Sequence, residues 1–123
     1  MEARDFLTSA EELMQGNREI DYRNAASRAY YFAFHFCQES LGNLPHLQGN
    51  IGTTHQRFIA DLLSYPDKKV QSLGNQLKHI KKVRYKADYK LNKKFYRHEA
   101  SRLLSSAKKI STEVENLVVL LCA

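Results

Sequence analysis

One segment constrains the fold more than any other: the run of small and aromatic residues in DYRNAASRAYYFAFHFCQESLG. Its alanines and large apolar residues repeat at the 3.6-residue period of an α-helix, and Asp21 is the predicted N-cap. Tyr31, Phe32 and Phe34 lie off that stripe and indicate a second packed surface. The segment is therefore predicted to be either the central helix of a bundle, buried on most sides, or a helix whose aromatic face joins a homodimer interface.

Four other segments show the same helical period, and no stretch alternates apolar and polar residues over a useful strand length. In chain order they are a helix that ends at Gly16, one that starts after Thr53 or Thr54 and stops before Pro66, one capped by Asp67, and one from about Phe95 to Cys122. Residues 42–54, rich in glycine and asparagine, are predicted to form the one long loop. The sequence thus predicts an all-α, up-and-down bundle of four to five helices, with a single domain over residues 1–123.

The charged residues are distributed very unevenly. Residues 1–67 hold five basic and nine acidic residues, for a net charge of −4, whereas residues 68–109 hold fourteen basic and two acidic residues, for a net charge of +12. A folded domain with this asymmetry can present one basic face to a polyanion, and nucleic acid is the leading class. The alternative is a lysine-rich helix surface that is only solvated.

Size and cysteine usage exclude several classes of protein. A chain of 123 residues buries enough surface to fold without metals or disulfides. Cys37 and Cys122 are far apart and form no CxxC, so neither a zinc knuckle nor a disulfide framework fits, and Cys37 is expected in the core. No signal peptide or membrane-spanning run is apparent. We therefore expect a cytoplasmic protein.

The usual catalytic motifs are missing. The five histidines are dispersed along the chain rather than grouped at metal-ligand spacing. The segment GNIGTTH lacks both the lysine and the preceding strand of a phosphate-binding loop. The sequence therefore predicts neither a metal nor a cofactor. Of the remaining histidines, His79 and His98 are expected at the surface, and His55 is expected to cap or pack against the polar end of the bundle.

The segment KHIKKVRYKADYKLNKKFYR, residues 78–97, combines nine basic residues with four aromatic ones and one acid. Basic side chains neutralise phosphates, and aromatic rings stack on unpaired bases for about 1–3 kcal/mol per base. The segment is therefore predicted to contact nucleic acid, and RNA fits best. The predicted contacts are Lys78, Lys81, Lys82, Lys86, Lys90, Lys93, Lys94 and Arg97. Arg84 borders this ridge, and an alternative for it is a helical ion pair with Asp88, four residues later.

Three parts of the chain together resemble the HEPN domain superfamily, in particular its short single-domain prokaryotic branch: ASRAYYFAFHFC, THQRFI and VRYKADYKL. This resemblance spans nearly the whole chain. It implies a helical bundle that dimerises. Many members are metal-independent ribonucleases, toxins encoded beside a nucleotidyltransferase-like antitoxin, or parts of phage-defence systems.

The resemblance also implies which residues act. The nuclease signature of the family is an arginine followed after four to six residues by a histidine, with both subunits contributing to one cleft. Arg84 matches the arginine, but the histidine positions hold Tyr89, Lys90 and Leu91. Asp88 and Tyr89 instead resemble an Asp-Tyr form of the signature found in the short branch. In that form Arg84 supplies a cation, Asp88 a base and Tyr89 a weak acid, none of which replaces imidazole at neutral pH.

Two functional interpretations follow from these observations. In the first, a homodimer binds RNA in a basic cleft lined by Arg84, Asp88 and Tyr89 and cleaves it. In the second, the same cleft belongs to a non-catalytic module that binds a nucleotide or a partner protein.

Overall fold

The structure is a computed structural model that describes residues 1–44, 47 and 54–122. The described residues form five helices and no strand, which confirms the all-α bundle. The helices are α1 (Ala3–Leu13), α2 (Glu19–Leu41), α3 (His55–Leu63), α4 (Lys68–Tyr89) and α5 (Arg97–Cys122). Most of the predicted loop at 42–54 lies outside the described residues. In the described part of the chain, none of the helices is both long and apolar enough to cross a membrane.

Helix α2 is the centre of the bundle and packs against α1, α4 and α5. Its small residues Ala25, Ala26, Ala29 and Ala33 are buried, which lets the neighbouring helices approach its backbone closely. Phe32 and Phe34, on the predicted second surface, are also buried, and they are buried inside this one chain. The prediction of a central helix is confirmed, and these two rings are not a dimer surface. Cys37 is buried in the core, as expected.

The helix starts were partly predicted. The side chain of Thr54 accepts a hydrogen bond from the Arg57 amide, and Asp67 accepts from the first amides of α4, so both predicted caps are confirmed. The alternative cap Thr53 lies outside the described residues. The assignment of Asp21 as N-cap was wrong, because the cap is Arg18 and α2 begins three residues earlier than predicted, at Glu19. From inside the first turn, the Asp21 carboxylate accepts a hydrogen bond from the Arg18 amide.

Helices α3 and α4 are held close by a glycine. A Cβ atom placed on Gly74 would lie 3.0 Å from Leu62 Cβ and 3.1 Å from the backbone nitrogen of Leu63. Gly74 therefore weakens α4 by its low helix propensity but allows the two helices to touch. This contact sets the spacing of the surface on which α3 and the middle of α4 lie side by side.

Candidate functional site

Arg84 lies in the second half of α4 and is only 8% exposed. It follows Ile80 and precedes Ala87 on the buried stripe of the helix, which directs its stem toward α2. Its Nη1 donates a hydrogen bond to Asp88 Oδ2 over 3.4 Å, so the predicted helical pair forms. The guanidinium carbon lies 5.1 Å from the centre of the Tyr30 ring.

The Nε atom of Arg84 is buried and has no hydrogen-bond partner among the described residues. A buried donor without a partner costs free energy, and a buried cation costs more. The one ion pair to Asp88 is long for a charge-assisted hydrogen bond. Arg84 therefore has hydrogen-bonding capacity that its own chain does not use.

Asp88 and Tyr89 extend from Arg84 toward the surface. The Asp88 carboxylate also accepts a hydrogen bond from Ser27 Oγ over 3.2 Å, and its side chain is 25% exposed. Tyr89 is 62% exposed, and its ring centre lies 6.0 Å from the Arg84 guanidinium carbon. The three residues singled out from the sequence are therefore adjacent, with a sheltered cation beside an accessible acid and phenol. We refer to Arg84, Asp88 and Tyr89 as the Arg84 cluster.

A fourth residue, His55, joins this cluster from the first turn of α3. Its Nδ1 shares a hydrogen bond of 2.9 Å with the hydroxyl of Tyr30, and its ring stacks on Phe34 with 3.7 Å between ring centres. Burial, followed by the nearby positive charge of Arg84, lowers the pKa of His55 to about 4. The imidazole is therefore neutral at neutral pH. The sequence analysis expected His55 to cap or pack against the polar end of the bundle; it packs on aromatic rings of α2, and its place beside the Arg84 cluster was not predicted.

The end of α4 is fixed by Arg23, a residue to which the sequence analysis gave no role. Arg23 is 5% exposed and reaches from α2 to the last turn of α4. Its guanidinium donates to the carbonyl oxygens of Ala87 at 2.9 Å and of Lys86 and Lys90 at 3.3 Å, and also to that of Lys93. The Lys86 carbonyl also accepts the Lys90 amide, and the Lys90 carbonyl also accepts the Lys93 amide, so the buried arginine adds a side-chain cap to the turn that carries Asp88 and Tyr89.

The predicted phosphate-binding residues are divided between two places. Lys78, Lys81 and Lys82 line a groove between α3 and α4. Lys86 lies near the end of α4, and its side chain reaches the first turn of α5, where its Nζ is 2.5 Å from Glu99 Oε1. Burial alone would raise the pKa of Glu99, but the hydrogen bonds from Lys86 and from the Tyr96 amide, together with the charge of Lys86, lower it. The Lys86 ammonium group is thus paired with a carboxylate, which makes it less available to contact a phosphate.

The remaining basic residues mostly contact rings. Lys90 lies over Tyr85, Lys94 over Tyr96, and Arg97 over Tyr22, each with 5–6 Å between the cation and the ring centre. Among the histidines, His79 and His98 are exposed, as predicted. Within the described ranges, no group of three or more histidine, cysteine or acidic residues is placed to hold a metal ion.

The chain matches one known protein family over nearly its whole length. The family model of the HEPN domain matches residues 1–117 of the 123-residue chain. Searches of curated proteins and of solved structures gave no match. HEPN domains are RNA-related and nuclease domains, and they often bind RNA or dimerise. The family match covers nearly the whole chain and agrees with the five-helix bundle, so the chain belongs to the HEPN domain family.

Proposed function

We propose that this HEPN protein binds RNA at the Arg84 cluster and cleaves it without a metal ion. The observation that carries the proposal is the buried Arg84 guanidinium, whose Nε has no partner among the described residues and which has an accessible acid and phenol beside it. A sheltered cation with spare donors suits a phosphate, because low surrounding polarity strengthens its hold on negative charge. An ion pair between Arg84 and Asp88 that served only the stability of the fold would not need the exposed phenol of Tyr89 beside it.

The chemistry proposed is attack of an RNA 2′-hydroxyl on the adjacent phosphorus. The bond from the 2′-oxygen to phosphorus forms, and the bond from phosphorus to the 5′-oxygen breaks. The 2′-hydroxyl gives its proton to Asp88, and Tyr89 gives a proton to the departing 5′-oxygen. Arg84 stabilises the extra negative charge on the phosphate oxygens in between. The neutral imidazole of His55 is a second proton acceptor on the inner side of Arg84.

The proposal includes a symmetric dimer, in which two copies of the Arg84 cluster face one cleft. HEPN domains often dimerise, and the net charge of +12 over residues 68–109 favours a polyanion in such a cleft. A cytoplasmic toxin or phage-defence nuclease, paired with a nucleotidyltransferase-like antitoxin, is the cellular role that fits this activity.

The test is incubation of the purified protein with end-labelled single-stranded and structured RNA in the presence of EDTA, followed by a denaturing gel. We expect cleavage by the wild type and at least a 100-fold slower rate for Arg84→Lys, which keeps the charge but loses the planar group. Asp88→Asn and Tyr89→Phe should slow cleavage as well. Circular dichroism confirms that each variant is folded. Undiminished cleavage by Arg84→Lys and Asp88→Asn would remove the cluster from the reaction.

A second candidate is a module that binds RNA or a nucleotide without cleaving it. The observation in its favour is that Arg84 already pairs with Asp88 and lies against rings of its own chain. This candidate predicts RNA binding that weakens with salt and no product in the EDTA assay. Light scattering that gives a monomer would argue against the shared cleft in either case.

A further inference from the structure

A groove runs along the outside of the bundle between α3 and α4. Its floor is apolar and consists of Ile59, Ala60 and Leu63 from α3, whereas Lys78, Lys81 and Lys82 from α4 form one rim. The floor and the rim each follow helical spacing, so two stripes of side chains face each other along the groove. Its volume is about 430 Å³, which is the size of a small-ligand site.

The described charged residues along this groove are all basic. Of the residues that the structure describes, three lysines line it and no acidic residue does. Lys78 and Lys82 are exposed and Lys81 is half-buried, so their amines are presented beside the apolar floor. An occupant that satisfies both surfaces carries negative charges along one edge and flat or apolar groups along the other.

The groove leads into the Arg84 cluster. Tyr85, which is 50% exposed, closes the groove at the end nearest the cluster, and it follows Arg84 directly in the sequence. The ring centres of Tyr85 and Tyr89 are 4.8 Å apart, and the Tyr89 ring reaches the Arg84 guanidinium. An extended ligand that leaves the cluster along α4 therefore meets aromatic rings first and the lysine rim next.

We propose that the α3–α4 groove holds the unpaired RNA that flanks the phosphate bound at the Arg84 cluster. The bases lie on Tyr85 and the apolar floor, and the phosphates lie along Lys78, Lys81 and Lys82. Four residues of each helix line the groove, over positions 56–63 of α3 and 78–85 of α4. These stretches are about 10 Å long, which accommodates about three stacked nucleotides. The inference rests on the proposed function and names its substrate class: single-stranded RNA rather than a duplex, whose bases are already paired and stacked.

The continuity with the Arg84 cluster favours RNA over an acidic amphipathic helix of a partner protein. Such a helix would also match an apolar floor with a basic rim. It would have no use for the adjacent tyrosine pair that links the groove to Arg84, whereas bases stack on tyrosine regardless of sequence.

The experiment measures binding of a fluorescent single-stranded RNA and of the same RNA in a duplex by anisotropy over a range of salt concentrations. Ala60→Glu places a negative charge on the floor, and Ser105→Glu adds the same charge on an exposed site of α5. We expect Ala60→Glu to weaken single-strand binding at least tenfold and Ser105→Glu to change it less than twofold. Loss of Lys81 and Lys82 together should lower the slope of log affinity against log salt by about 1.4. The same double substitution at Lys68 and Lys69, in the first turn of α4, should lower it much less.

The outcomes separate the groove from the proposed function. If the wild type binds and cleaves RNA but Ala60→Glu binds as tightly as Ser105→Glu, the groove proposal fails and the proposed function stands. If the wild type binds no RNA at all, both fail. If Ala60→Glu keeps its RNA affinity yet loses binding to a glutamate-rich amphipathic peptide, the groove is a protein-docking surface and the RNA proposal is overturned.

Discussion

The imidazole of His55 and the guanidinium of Arg84 lie against the same two tyrosine rings, although the two residues are on different helices. The His55 ring centre is 5.6 Å from that of Tyr30 and 5.8 Å from that of Tyr31. The Arg84 guanidinium carbon is 5.1 and 5.7 Å from the same two centres. The tyrosine pair of α2 thus brings a histidine and an arginine to one place that their positions in the sequence do not indicate.

The stability of the protein should depend on pH through His55. In the unfolded chain this histidine titrates near 6.5, but in the folded protein burial and Arg84 lower its pKa to about 4. Between these values the unfolded state binds a proton that the folded state does not, so stability falls as the pH drops from 6.5 toward 4. His55 is only partly buried, and solvent screening reduces the effect to about 1–2 kcal/mol.

Urea unfolding at a series of pH values measures this effect, with His55→Gln as the comparison. Arg84, Lys81 and His35 are the charged or titratable groups that act on His55. Asp21 and Glu99, whose pKa values are lowered from 3.8 and 4.5, also lose stabilising charge in the lower part of this range and below it, but they are common to both proteins and cancel in the comparison. Parallel stability curves for the wild type and His55→Gln between pH 4 and 6.5 would contradict the prediction.

Loss of the Arg84 side chain should lower the stability of the fold as well as reduce the proposed activity. Arg84→Ala removes the contacts with Tyr30 and Tyr31 and leaves Asp88 without its cation, so we expect a loss of about 2 kcal/mol in the free energy of unfolding. Arg57→Ala is the matched control, because Arg57 forms an i,i+4 pair with Asp61 at the surface. That variant should lose no more than about 0.5 kcal/mol. Equal losses for the two would show that burial of Arg84 contributes nothing.

Arg23→Gln should be among the most destabilising single substitutions in the chain. It removes the charged donor that binds carbonyl oxygens at the end of α4 and leaves those groups buried, which we expect to cost about 3 kcal/mol or more. Arg28→Gln, at an exposed position of the same helix, should change stability by no more than about 0.5 kcal/mol. Thermal unfolding compares the two, and a small effect of Arg23→Gln would disprove the capping role.

Gly74→Ala tests the close contact between α3 and α4. Alanine favours the helix by about 1 kcal/mol, but its Cβ would press on Leu62 and on the Leu63 backbone. The backbone cannot move aside as a side chain can, so we expect a net loss of about 1 kcal/mol. Asn75→Ala, at the exposed neighbouring position, should instead be slightly stabilising. A more stable Gly74→Ala protein would mean that the two helices separate readily.

The fold could be predicted because its determinants are local. Periodic apolar residues, Thr54 and Asp67 at helix starts, and Pro66 after α3 each act within a few residues, so a single sequence contains them. Asp21 was misplaced because an aspartate supports a helix start equally well from the cap or from the first turn. Which of these two positions Asp21 takes depends on where the turn before α2 ends, and the spacing of the apolar residues does not determine that point.

The site was only half predictable for a related reason. Arg84, Asp88 and Tyr89 occupy one turn of one helix, so sequence spacing alone brings them together. His55 reaches them through Tyr30, and Arg23 reaches the end of α4 from more than sixty residues away. Such contacts depend on how helices pack, and one sequence without relatives carries no direct signal of that. The Lys86 pair with Glu99 was missed for the same reason.

Because Arg23 of α2 caps α4, the site cannot be grafted onto another protein or truncated to a short fragment without losing that cap. Asp88 and Tyr89 sit on a turn whose carbonyls are held by a side chain of α2, so the segment 78–97 grafted onto a foreign helix would leave its anchor behind. A fragment that begins at α3 would lack it too. The smallest unit expected to carry the proposed chemistry is therefore the whole bundle, because the short motif on α4 depends on Arg23 of α2 for its conformation.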